Sequence, residues 1–153
     1  MSTRANIVVS MGDTKVILYR HHDGYARSTG VDLVNKLRSV TTNEEQFLID
    51  LLTYEGETGR RAYELTSEIH GDIEWAYWIK LDHSREPRIG ATEIEIGGDR
   101  KAGVSRARKA ATPVATFVTD YLNPQIVKYN VLMAELAKNP RHLHHDLSPL
   151  DLV

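Results

Sequence analysis

Cysteine is missing from this chain, which excludes disulfides, thiolate nucleophiles and cysteine-containing zinc sites and leaves histidine and carboxylate as the strong side-chain metal ligands. No segment approaches the ~18 uninterrupted apolar residues that a membrane-spanning helix needs, so no membrane association is expected. Met1 is followed by Ser-Thr-Arg-Ala-Asn and a short alternating segment, without the apolar run and cleavage site of a secretion signal; a cytoplasmic location is the expectation. Catalytic signatures are also lacking. There is no His-Glu-x-x-His, no serine elbow and no Cys-His arrangement, which weakens peptidase and hydrolase readings. Gly24 with Gly30 matches neither a Rossmann fingerprint nor a Walker loop, and no cofactor is implied.

What is present is an ordinary globular composition, 41% hydrophobic and 26% charged over 153 residues, enough for one domain with a core of its own. The expected organisation is a single α+β domain over residues 1–140 and a C-terminal tail over 141–153, docked on its own domain or on a neighbouring subunit. The net charge of −2 hides an uneven distribution. Residues 1–40 carry six basic and three acidic side chains, 41–96 five and thirteen, and 97–153 eight and five. An anionic partner is expected at the basic ends, above all near Arg100, Lys101, Arg106, Arg108 and Lys109. The same charges suit a solvated loop, and regions of opposite sign suit a homo-oligomer. No nucleic-acid-reading motif accompanies them, so nucleic acid is not the expected partner.

Two strands, Ile7–Met11 and Thr14–Arg20, flank Gly12-Asp13 as a hairpin. Alternation puts Ile17, Tyr19 and His21 on one face of the second strand and Leu18, Arg20 and His22 on the other. Val31, Leu33, Val34 and Leu37 fit one helical face, and a second helix is expected from Asn43 to about Tyr54, capped by Thr42 or Asn43 and buried through Phe47, Leu48, Leu51 and Leu52. Residues 61–65 suit a short helix. A third strand over Asp72–Leu81 is apolar at odd positions, with Trp78 the exception on the more polar face, suited to stacking a ligand, meeting a subunit or lying under a helix. Arg88–Ile96 returns as a hairpin, Gly97–Gly103 reads as a flexible loop, and Asn123-Pro124 opens a last helix, with Asn123 as its cap and Pro124 at the first helical position, that stops before Pro140. The fold class is α+β, an antiparallel or mixed sheet of four or more strands packed against helices and covered on one side.

The densest chemistry is Tyr19-Arg20-His21-His22-Asp23-Gly24-Tyr25. Arginine offers paired donors to a phosphate or carboxylate, and histidine transfers protons near neutral pH. Arg20 and Arg27 would clamp an anion beside the helix starting at Gly30, His21 or His22 would donate a hydrogen bond, Asp23 would orient a histidine, and Tyr25 or Trp78 would stack a ring. His70 and Asp72, two apart on extended backbone, would share a face and could join this cluster. His142, His144, His145 and Asp146 form a third group suited to adventitious metal capture. The plainer alternative makes Tyr19 and one histidine packed scaffold and Asp23-Gly24 a simple turn.

The opening Met1–Ile7, the Tyr19–Tyr25 segment followed by Gly30, and His70–Trp75 together resemble a diffuse group of small, mostly uncharacterised proteins encoded by phages and prophages. The resemblance spans roughly residues 2–82. It implies a compact viral accessory protein in the host cytoplasm, oligomeric, that binds a nucleotide-like ligand or a host protein and counters host defence. Three functions follow as expectations: binding of an anionic or nucleotide-like small molecule or a host protein; a metal-assisted phosphodiester hydrolase built on His21, His22, Asp23, His70 and Asp72; or a purely protein-binding module.

Overall fold

The hairpin read from the sequence forms the heart of the sheet. Strands β1 (Ala5–Met11) and β2 (Thr14–Arg20) pair antiparallel, and Gly12 turns the chain between them with φ of +60°, a conformation that costs glycine little. The computed structural model describes residues 3–39, 44–55, 59–82, 85–138 and 148–153. Four further strands follow: β3 (Glu64–Thr66), β4 (Trp75–Asp82), β5 (Arg85–Glu93) and β6 (Thr112–Pro113). They build one six-stranded mixed sheet in the order β3-β2-β1-β4-β5-β6, with β1 and β4 parallel and every other pair antiparallel. The fold is thus α+β, as expected.

Alternation divides the side chains between two cores. Ala5, Ile7 and Val9 of β1, Leu18 of β2, Trp75, Tyr77, Ile79 and Leu81 of β4, and Ile89 of β5 face the larger one. Over them lie α1 (Val31–Ser39), α2 (Glu44–Thr53), α4 (Val114–Phe117) and α5 (Asn123–Ala137), which contribute Leu33, Val34, Leu37, Phe47, Leu51, Phe117 and Ile126. Burying one apolar stripe of each helix against a sheet removes that area from water at about 25 cal/mol per Å². The other sheet face is covered too, contrary to the one-sided expectation. Helix α3 (Arg100–Lys109) lays Val104 and Ala107 over Val8, Ala76 and Trp78.

Helix α3 replaces the expected loop, and its start has a clear local cause. The Asp99 carboxylate accepts from the backbone N–H groups of Lys101 and Ala102, an N-cap that satisfies two otherwise unpaired donors. Gly103 in the middle of α3 looks like a breaker, yet it lets the helix ride against Ile94, whose side chain would meet an added Cβ at 2.7 Å. Gly90 on β5 serves the same close approach from below, since a Cβ there would lie 2.1 Å from the Ala107 carbonyl oxygen.

Other departures are smaller. Residues 64–66 form β3 instead of a helix, because buried Tyr63 anchors the segment beside β2. The third strand begins at Trp75, so Ile73 leaves the alternation and joins the core under α3. Asn123 does not cap α5. Its amide instead brackets the backbone of Val153, and Asn130, seven residues on, does the same for Leu150, so residues 148–153 dock along α5 of their own chain. Thr42, Asn43 and the group at 142–146 lie outside the described residues. Among the described residues no helix is long and apolar enough to cross a membrane.

Candidate functional site

The residues that the sequence brings together are divided by the sheet. Strand β2 ends at Arg20, and its alternation sends Arg20 to the face under α1 and Tyr19 to the face that α3 covers. The Arg20 guanidinium is only 11% exposed, donates to the Tyr63 hydroxyl at 2.8 Å and to the His22 carbonyl at 2.8 Å, and lies 3.7 Å from Asp32. The Tyr63 hydroxyl donates in turn to Asp32, which also takes the Lys36 ammonium at 2.7 Å. Burial pushes the Tyr63 phenol well up, against the opposing pull of Arg20. Arg20 is therefore engaged inside the fold, where it ties β2 to α1.

Arg27 is held as well. Its guanidinium sits 3.9 Å from the ring centre of Tyr25 and 4.3 Å from that of Tyr129, cation–π contacts that fasten α5 to the turn over residues 26–30. The Asp23-Gly24 step makes a hook. Asp23 takes φ of 59° and its carbonyl accepts from the Thr29 hydroxyl at 2.6 Å; Gly24 presses on the backbone leading into β1, where an added Cβ would meet the Thr3 carbonyl at 2.9 Å. The buried Tyr77 hydroxyl donates to the Gly24 carbonyl at 2.6 Å. Much of the densest sequence motif thus forms the crossover from β2 to α1.

His21, His70 and Asp72 do meet, on the face shared with α3. The His70 ring lies 4.0 Å from the Tyr19 ring and His21 meets its edge at 4.6 Å. The Tyr19 hydroxyl donates to Asp72 at 2.8 Å, and burial together with that carboxylate pushes its pKa well above the ordinary tyrosine range. Arg4 pairs with Asp72 at 3.3 Å, His21 faces Glu64 at 3.2 Å, and the Thr66 hydroxyl bonds the His70 ring at 2.9 Å. The His22 ring stands 6.3 Å from that of His21. Among the described residues, no three His, Cys, Asp or Glu side chains converge as a metal site.

An open cleft of about 470 Å³ lies farther along this second face, beyond the C-terminal end of α3. Lys15, Lys80, Arg85, Arg88 and Arg108 line it around Trp78, with Ser10 and Gly12. The register explains their convergence. Lys15 of β2 pairs with Ser10 of β1, Ser10 with Lys80 of β4, and Lys80 with Arg88 of β5, so four neighbouring strands set Lys15, Ser10, Lys80 and Arg88 in one row. The adjacent row on the same face is Ile17, Val8, Trp78 and Gly90. Trp78 is 6% exposed, lies under α3, and has the Lys15 ammonium 5.5 Å and the Arg108 guanidinium 5.2 Å from its ring.

All five cations of the cleft are exposed, and none is in a salt bridge among the described residues. Like charges directly opposite on paired strands are destabilising. The negative end of the α3 dipole also points here, an effect of at most about 1 kcal/mol that Arg108 and Lys109 in the last turn offset. Asp82 and Glu86 line a smaller recess beside the cleft together with Lys80, Arg85 and Arg88. Of the candidates named from sequence, Trp78 and, from the basic run expected to meet an anion, Arg108 belong to the cleft. The available signal was Trp78 and Lys80 on one strand face; the register that adds Lys15 and Arg88 is a tertiary fact. No family model, curated protein or solved structure matches the chain.

Proposed function

We propose that this chain is a binding protein that captures an anionic, phosphate-bearing small molecule in the cleft around Trp78. The observation that carries this reading is the direct opposition of Lys80 and Arg88 with no carboxylate among the described residues in a salt bridge to either. An arrangement that disfavours the empty fold is expected where a ligand supplies the missing charge. Arginine and lysine together suit phosphate, the guanidinium by paired hydrogen bonds and the ammonium as a point charge. Arg88, Arg85 and Arg108 take the first role, Lys15 and Lys80 the second. The cleft's volume, about 470 Å³, is that of a small-molecule site.

In the phage setting that the sequence resemblance implies, capture of a phosphorylated host signal would be the use of such a site in countering host defence. The binding reading itself rests on the cleft alone. Titration calorimetry at low salt, with pyrophosphate and ATP as probes, checks it. We expect binding of at least one probe, weakened at least about tenfold in the double variant Lys80→Gln/Arg88→Gln and weakened again by added salt. Equal affinity in the wild type and the double variant rejects the site, and so does the lack of binding by either probe.

A further inference from the structure

We propose that the ligand of this cleft is a linear oligophosphate of three or more phosphoryl groups, and that the protein reads the phosphate chain instead of an attached nucleoside. This rests on the anion-binding reading above and specifies its ligand.

The extent of the charged row is the first reason. Neighbouring strands lie about 4.8 Å apart, so Lys80 and Arg88 are rooted one spacing from each other, and Lys15 is rooted two spacings from Lys80, about 10 Å away. One tetrahedral phosphate between Lys80 and Arg88 leaves Lys15 to face solvent. A chain laid along the row reaches all three and passes the Ser10 hydroxyl, a neutral donor between Lys15 and Lys80. Arg108 enters from α3 above, and Arg85 lies to one side of the row, farther along β5.

Charge balance is the second. An orthophosphate carries about two negative charges near neutral pH, fewer than the five cations of the cleft present even after Asp82 and Glu86 of the adjoining recess are set against them. A chain of phosphates adds charge with each unit while staying narrow.

The third reason concerns what the cleft lacks. Base recognition without an edge-reading motif relies on an open aromatic face, and among the described residues the sole aromatic in the lining is Trp78, 6% exposed with Lys15 and Arg108 already at its ring. Gly12 and Ala111, the other described residues of the lining, offer no ring. A nucleobase therefore gains little beyond its phosphates.

Titration of the full chain with orthophosphate, pyrophosphate, tripolyphosphate, ATP and a short oligo-dT strand tests this. The expected result is affinity that rises with chain length, at least about tenfold from orthophosphate to tripolyphosphate, with ATP within about threefold of tripolyphosphate. Lys15→Gln, at an exposed hairpin position, is expected to weaken tripolyphosphate more than orthophosphate, with circular dichroism showing an unchanged fold. Affinity independent of chain length overturns the proposal while leaving an anion site in place. ATP far tighter than tripolyphosphate also overturns it, in favour of base recognition, and oligo-dT tighter than tripolyphosphate overturns it in favour of a nucleic-acid strand. Binding of none of these probes overturns both this proposal and the anion-binding reading.

Discussion

Lys80 and Arg88 stand directly opposite one another on the antiparallel pair β4–β5, two exposed cations on the same sheet face with no salt bridge to either among the described residues. The pair one step along the same face is Trp78 opposite Gly90, where α3 comes down onto the sheet. Helix packing thus ends where the charge begins, and the sheet passes from a covered core to an open basic cleft within a single step of the ladder.

Removing one of these cations should stabilise the unliganded protein. Arg88→Gln relieves a cross-strand repulsion of about 0.2–1 kcal/mol, which for a chain of this size raises Tm by about 0.4–4 °C. The gain should shrink as salt screens the wild-type pair. Thermal melts at low and high ionic strength measure both effects, and a lower Tm for Arg88→Gln at low salt would refute the idea that the empty cleft is strained by charge.

The Arg20 network predicts the opposite behaviour. Asp32→Ala removes the acceptor of both the Tyr63 hydroxyl and the Lys36 ammonium and leaves the nearly buried Arg20 guanidinium without its carboxylate. Breaking a largely buried charged network from one side should cost about 2–4 kcal/mol. Arg20→Ala should likewise destabilise, while leaving tripolyphosphate binding by the folded protein unchanged. Urea titrations give the stability change; a shift under about 0.5 kcal/mol, the size of an ordinary surface substitution, would show that the network is incidental.

Stability should fall as the pH rises above 10. Burial, with Glu93 nearby, pushes the Tyr121 phenol up to about 12 from 10.0, and burial raises Tyr63 and Tyr77 as well. A raised phenol pKa means that above pH 10 the unfolded chain gives up its proton first, so the native state binds more protons and stability falls as pH rises. The contribution is whole below pH 10 and is lost through pH 12 for Tyr121. Tyr121→Phe should leave stability near pH 7 almost unchanged and flatten the decline above pH 10. Chemical denaturation at stepped pH would show it, and equal slopes for wild type and variant would remove Tyr121 from the account.

Several features were legible in the residues alone because they depend on neighbours in the chain. The Gly12-Asp13 hairpin, the odd-numbered apolar face of β4, the stripe of Leu33, Val34 and Leu37 on α1, and the proline at the start of α5 all follow from two-residue or 3.6-residue periods and local turn chemistry. The same logic misjudged α3. Gly97, Gly98, Gly103 and a run of charges look like a loop, and the decisive facts were the Asp99 cap and the tight seat of Gly103 on Ile94. It also gathered Arg20, His21, Asp23 and Arg27 into one site, although a strand sends successive side chains to opposite faces and a buried arginine needs partners for its donors.

The sequence by itself determined the α+β class, the main strands and most helices, and the two faces of β2, because backbone preference and hydrophobic period act over a few residues. Tertiary structure alone decided the cleft. Three of its five cations, Lys80, Arg85 and Arg88, come from the stretch that is acidic overall, and they meet Lys15 and Arg108 only through pairing register and the descent of α3 on Gly90. Charge counted along the chain averages over neighbours in sequence, whereas the potential at a site sums over neighbours in space.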